Sequence, residues 1–301
     1  MAAKRRRRTT HRTTRTRTYR TRRTYRRRKT SSRMPLFLIG IFVLIVCAAI
    51  TSCINREDRY EYDPVTDVQM NTENREYNMY DMTNLISNNG IYSYEDDRYT
   101  SQFGVDVSEH NGTIDWAALK ADGVQFAMIR IGYRGYDQGT ITEDSAFARN
   151  IKGAHDAGIQ VGVYFFSQAV SEDEAAQEAK WVIERLHSES IDLPVVYDME
   201  MYSDETNARG NTTTREQRTA DAAVFLDNIA NAGYSPMLYA STGTYDTVFD
   251  PQYLTGYPFW VAEYDTVCSY PYTYAMWQYS ESGTLNGVST NVDLDIRLIE
   301  K

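Results

Sequence analysis

Residues 193–200 read LPVVYDME, and the architecture turns on this stretch. The apolar run from Leu193 reads as a buried strand, and it ends in two acids, Asp198 and Glu200. Side chains on a strand alternate between faces, so two acids in a D-x-E spacing project from one face, with Cα atoms roughly 6.6 Å apart. Carboxyls at that spacing suit an acid working beside a nucleophile or charge stabiliser, the pairing that glycosidic bond cleavage uses. Taken alone, the same pair also suits a metal ligand set or a structural contact.

On either side of this strand the pattern alternates. FGVDVS at 103–108, FAMIRIGY at 126–133 and IQVGVYFFS at 159–167 read as strands before it, and SPMLYAS at 235–241 as one after it. Helices are predicted at about 115–121, 143–157, 171–188 and 213–232. In the third of these, Ser171 as N-cap with Glu174 three residues on forms a capping box, and Gly158 and Gly233 close the second and fourth. Beyond 241 the helices shrink, and FWVAEY, YAMWQYS and NVDLDIRL follow as strands. Eight strands with helices between the early ones predict an α/β fold, a TIM-like parallel (β/α) barrel with a reduced second half, over residues 102–301. Such barrels gather their active sites at the C-terminal ends of the strands. Asp106, Asp198, Glu200 and Asp293 read as lying late in, or inside, their strands, so they converge at one mouth.

The charge is split. Residues 1–33 hold 14 Arg and 2 Lys with no acid, and the rest holds 16 basic and 41 acidic residues, a net of −25. The basic stretch lacks apolar periodicity and reads as a disordered cytoplasmic tail. The uncharged, apolar segment at 34–54 has about the ~20 residues of a membrane span. A basic flank before such a span predicts an inside N-terminus and an extracytoplasmic acidic domain, with the span in contact with membrane lipid. The tail is then a topology signal, and no nucleic-acid partner is expected. Ile50-Thr51-Ser52-Cys53 also resembles a lipobox, whose processing would leave Cys53 acylated. Residues 55–101, rich in Asn, Tyr and acids, read as an extracytoplasmic stalk that holds the catalytic part off the membrane, with room for a short ordered segment docking near its end. Three cysteines, Cys47, Cys53 and Cys268, make no disulfide framework, so stability is expected from a large core.

Seven stretches in order, GVDVSEHNGTIDWAALKADGVQFAMIRIGYRG, GVYFFS, VVYDME, PMLYAS, WVAEY, MWQYS and NVDLD, resemble the glycoside hydrolase family 25 muramidases, the Chalaropsis-type lysozymes. The resemblance covers about residues 103–301. It implies hydrolysis of the β-1,4 bond between N-acetylmuramic acid and N-acetylglucosamine in peptidoglycan, with retention and without metal or cofactor. By motif, Glu200 would be the general acid. Asp198 would stabilise the developing positive charge, either by direct attack or by orienting the substrate's acetamido group. Asp106 and Asp293 would complete the acidic cluster. A carboxyl kept protonated near neutral pH is what a general acid requires, and Glu200 is expected to be that group.

The remaining residues carry paired readings. Tyr164, Trp260, Tyr264 and Trp277 sit on strand ends and are candidate sugar contacts, although strand aromatics also serve as core. Arg130 is placed to point into the barrel and pair with the acids, and Gln278 to donate to a sugar oxygen or satisfy the backbone. Asp293 and Asp295 share a face, so either fits as the inner acid, and the motif favours Asp293. Asp295 stands where many family members carry Asn. Asp115 is expected to cap the first helix, and Tyr197 to pack outward under the helices. His110 and His155 lack metal-ligand spacing. The membrane-tethered enzyme is expected to be a monomer acting on peptidoglycan glycan strands.

Overall fold

The computed structural model describes residues 75–202 and 208–301. A small hairpin, β1 (Leu85–Asn88) and β2 (Ile91–Tyr94), comes first. The main sheet follows as β3 (Tyr99–Val107), β4 (Phe126–Arg134), β5 (Ile141–Glu143), β6 (Gln160–Phe166) and β7 (Val195–Asp198). It continues as β8 (Pro236–Ser241), β9 (Phe259–Ala262), β10 (Met276–Gly283) and β11 (Val292–Glu300). The helices are α1 (Trp116–Ala121), α2 (Phe147–Asp156), α3 (Glu172–Leu186), α4 (Arg215–Asn231) and the single turn α5 (Tyr245–Val248).

Eight strands close a barrel in the order β3-β4-β6-β7-β8-β9-β10-β11, with β11 returning to β3. The first seven are mutually parallel. The expectation of an all-parallel barrel fails at the last strand, for β11 is antiparallel to both neighbours. The connection over residues 284–291 is too short for a parallel crossover, which needs a dozen residues or more, so the chain turns straight back. Asp293 therefore stands at the start of its strand rather than late in it. It still reaches the shared mouth, because the antiparallel register sets it opposite Asp106.

The helix starts follow their caps. The Asp115 carboxylate accepts from Ala118 N, and Thr214 Oγ1 from Gln217 N. Ser171 Oγ accepts from Glu174 N, but the Glu174 carboxylate takes Val170 N instead of completing the box at Ser171. The second helix begins later than expected, because 141–143 pair with β4 as β5. The Asp144 carboxylate then accepts from Ala146 N, and the helix starts at Phe147.

Two apolar layers result from strand alternation. Val105, Ile129, Val163, Val195 and Tyr197 face the helices, and Tyr197 meets Phe225 of α4 at 5.0 Å between centroids, as its parity predicts. Phe126, Met128, Val196, Met237 and Met276 fill the barrel interior. Gly104 makes room for Phe126, since a Cβ there would fall on the phenyl ring. Burying such a side chain contributes about 1.5–3 kcal/mol, so the barrel floor is a packed core rather than a pore.

The stalk expectation is corrected from residue 75 onward. Asn89 and Gly90 take positive φ, 52° and 82°, and close β1 and β2 as an Asn-Gly hairpin. Upstream of it, Asn78 N donates to Pro271 O at 2.9 Å and Thr273 N to Glu76 O at 2.8 Å. Tyr92 stacks on Tyr279 at 4.4 Å, and Tyr80 meets Tyr274 at 4.9 Å. Aromatic burial thus fastens this segment to the outside of the barrel, and β3 itself begins at Tyr99 rather than 102. Residues 1–33, the span at 34–54 and 55–74 of the expected stalk lie outside the described residues. Among the described residues, no helix is long and apolar enough to cross a membrane.

Candidate active site

A cleft of about 510 Å³ opens at the C-terminal ends of the parallel strands. The acids Asp106, Asp198, Glu200 and Asp293 line it, together with Arg130, Tyr164, Trp260, Tyr264 and Gln278. Of the ten residues singled out from the sequence, only Trp277 lies elsewhere. Met276 and Gln278 face the interior, so Trp277 between them faces out. Its indole N–H donates to Glu263 O at 2.8 Å, and Tyr92 covers its ring at 5.6 Å.

The acids come from both sides of the barrel. Asp106 on β3 and Asp293 on β11 are cross-strand partners. Asp198 closes β7, and Glu200 lies just past the strand end rather than on it. Gln168 Nε2 donates to Glu200 O at 3.3 Å while its Oε1 accepts from Gly210 N at 3.1 Å, holding the loop in place. The Glu200 charge acts on the Asp198 carboxyl, so the two acids sense one another. Asp198 Oδ1 is buried and has no hydrogen-bond partner among the described residues.

Gln278 organises the opposite wall. Its Nε2 donates to Asp106 Oδ2 at 2.6 Å, and its Oε1 accepts from both Tyr239 and Tyr264 hydroxyls at 2.9 Å. With its oxygen and one amide hydrogen so engaged, Gln278 positions Asp106. Below them Asp295 is fully buried and accepts from Trp260 Nε1 at 2.9 Å, which fixes the indole in the cleft. Asp293 is thus the acid at the cleft and Asp295 the one beneath it. Tyr164 meets the Trp260 ring edge-on at 6.3 Å.

Burial is the leading cause of every pKa shift in the cluster. It raises Asp106 well above the carboxylate range, with Asp293 and Asp295 adding like-charge repulsion. Asp198 rises strongly through burial and then the Glu200 charge, against a lowering field from Arg130. Glu200 rises through burial and the Asp293 charge, although its cleft side is open to solvent. Asp293 is pushed up to about 6, and Asp295 goes well above the usual range. The expectation that Glu200 stands out as the raised acid is therefore too narrow. Five crowded carboxyls all shift, the deepest most, because they cannot ionise together in one low-dielectric pocket.

Arg130 departs from its expected pairing. Its Nε donates to the buried Asp144 Oδ2 at 2.8 Å and its Nη2 to the partly exposed Glu109 Oε1 at 3.2 Å, so it meets different acids and reaches the cluster only through its field. Tyr239 and Phe166 also line the cleft but were not singled out, and His110, set aside for lack of metal-ligand spacing, lines it too. For Tyr239 a signal existed: in PMLYAS it shares a face with Met237, which fills the interior.

Clustered carboxyls and aromatic rings at the mouth of a closed α/β barrel suit glycosidic bond cleavage. Residues 105–288 match glycosyl hydrolases family 25, and the chain belongs to that family. It is 31% identical over 199 residues to lysozyme M1 of Streptomyces globisporus, covering 63% of this chain and 65% of that one. It is 26% identical over 193 residues to the autolytic lysozyme of Clostridium acetobutylicum, covering 64% and 54%. A family 25 glycosyl hydrolase from Bacillus anthracis matches with TM-score 0.54 and 26% identity, over 70% of this chain and 94% of that one. The modular autolysin LytC from Streptococcus pneumoniae, in complex with a synthetic peptidoglycan ligand, matches with TM-score 0.59 and 25% identity, over 70% and 51%. The chain spans between about half and two-thirds of the length of the curated relatives it matches.

Proposed function

We propose that this chain is a peptidoglycan muramidase, a retaining N-acetylmuramidase held at the cell surface. The observation that carries the reading is the Asp198–Glu200 pair facing Asp106 and Asp293 across one cleft. The family and the relatives named lysozyme support the substrate class. Glu200, whose carboxyl burial and the Asp293 charge raise against a lowering hydrogen bond with Asp198, gives its proton to the glycosidic oxygen as the C1–O bond breaks. Positive charge develops at C1, and Asp198 stabilises it. It does so either by attacking C1 directly or by orienting the substrate's acetamido group, whose oxygen then attacks C1. Water then enters, losing a proton to Glu200, and the configuration at C1 is retained. Trp260, Tyr164 and Tyr264 offer ring faces to the sugars.

The sequence of 34–54 supports a membrane anchor, with residues 1–33 inside and the enzyme outside; acylation at Cys53 is the other form of the same tether. The test is digestion of purified peptidoglycan by the full chain, with the new sugar ends reduced and identified and the first-formed anomer read by NMR. New N-acetylmuramic acid ends in the β configuration are expected. New N-acetylglucosamine ends would refute the bond assignment, and binding without any new ends would make the chain a glycan-binding module.

A further inference from the structure

Beside the cleft, a second depression of about 480 Å³ runs along the β4–β5 hairpin. It shares His110, Arg130 and Phe166 with the cleft, so the two are continuous. Its lining includes an aromatic ladder. Phe166 meets Tyr202 edge-on at 6.1 Å, and Tyr202 meets Tyr136 at 5.3 Å. Tyr136, in the turn between β4 and β5, is 49% exposed.

Exposed hairpin turns are commonly mobile, but this one is pinned from below. Tyr136 O accepts from Arg209 N at 2.9 Å. Arg134 donates to Gly139 O at 2.8 Å, to Glu174 O at 3.0 Å and to the buried Glu178 at 2.6 Å. Ser167 Oγ donates to the other Glu178 oxygen at 2.7 Å. Arg209 grips Glu174 with two bonds of 2.8 Å and lies against Gly139, where any Cβ would strike its guanidinium. A buried ion pair is costly to break and rarely a net gain in stability. None of these charged groups lines the catalytic cleft. What the network does is hold the turn, and with it Tyr136, in one place beside the mouth. A preorganised aromatic surface binds with less ordering cost than a mobile one.

We propose that Tyr136 and Tyr202, backed by Phe166, form a distal sugar subsite that stacks on an N-acetylhexosamine ring of the glycan strand beyond the catalytic centre. Continuity with the cleft favours a glycan strand as the occupant, since the shelf adjoins the mouth where the acids lie. The lining suits it chemically: flat rings for the apolar C–H face, with Gln138 and Thr140 for hydroxyls at its edge. The name of the strand rests on the muramidase reading, whereas the shelf itself does not.

The full chain is compared with its Tyr136→Ala and Tyr136→Phe variants on polymeric glycan strands and on a tetrasaccharide, which offers the shelf fewer sugars than a polymer does. The ratio of kcat/KM on the polymer to that on the tetrasaccharide is expected to fall about five- to tenfold for Tyr136→Ala and to recover for Tyr136→Phe. An unchanged ratio overturns the proposal, as does Tyr136→Phe behaving like Tyr136→Ala. The same substitution in a Glu200→Gln background is expected to weaken co-sedimentation with insoluble glycan by a similar factor. Should the parent chain release no sugar ends, the muramidase reading fails by itself, and this binding comparison alone decides the subsite, with equal binding overturning it.

Discussion

Asp295 adds a fifth acid beneath the cluster. It lies under Asp106, raises that carboxyl's pKa by its own charge, and holds Trp260 through one oxygen while the other lacks a partner among the described residues. Asp295→Asn removes the charge and keeps an acceptor for the indole. The Asp106 ionisation is then expected to move to lower pH, and the acid limb of the kcat/KM profile with it, while KM changes less than twofold. A purely structural role would leave the profile in place. At this scale most of the site was legible, because Asp106, Asp198, Glu200 and Asp293 announce themselves in three short motifs. Trp277 was misplaced although the parity rule that sent Tyr197 outward applies equally between Met276 and Gln278. The partners of Arg130 were not legible, since Glu109 and Asp144 come from different loops and only the fold unites them.

The β1–β2 hairpin and the chain before it act as part of the barrel wall. They cover Trp277 and Tyr279, and Tyr80 donates to Tyr274 O. A chain beginning at 99 is expected to be about 2–4 kcal/mol less stable than one beginning at 75, given two or three aromatic side chains uncovered against the ordering entropy regained. Urea unfolding of the two chains measures this; equal midpoints would mean the segment is a loose appendage. The element was readable from Asn89-Gly90, but Ser, Asn and acids around it masked the weak alternation of its short strands. The reversal of β11 was readable too, from the length of the 284–291 connection. The strand β5 was not, because 141–143 pair only through contact with β4.

Across the whole molecule the acids set the pH dependence. Burial pushes Asp293 up to about 6 and Asp221 up to about 7, above the roughly 4 of an unfolded carboxyl. Between these values the folded state keeps protons that the unfolded chain has released, so stability falls as pH rises through about 4 to 7. Repulsion within a segment of net charge −25 acts in the same direction. The melting temperature is expected to be about 4–8 °C higher at pH 5 than at pH 8, roughly what 2 kcal/mol produces in a domain this size. A flat or rising profile would mean the buried acids are ionised in the folded state without penalty.

The central claim is that the carboxyls gathered at the barrel mouth cleave glycan with Glu200 as the acid. The direct measurement is the rate at which the full chain and its Glu200→Gln variant release new N-acetylmuramic acid reducing ends from purified peptidoglycan. Release by the parent chain is expected, with a fall of about 10²–10⁴-fold in the variant, the range of a lost general acid. Release by the variant within a few-fold of the parent rate would contradict it.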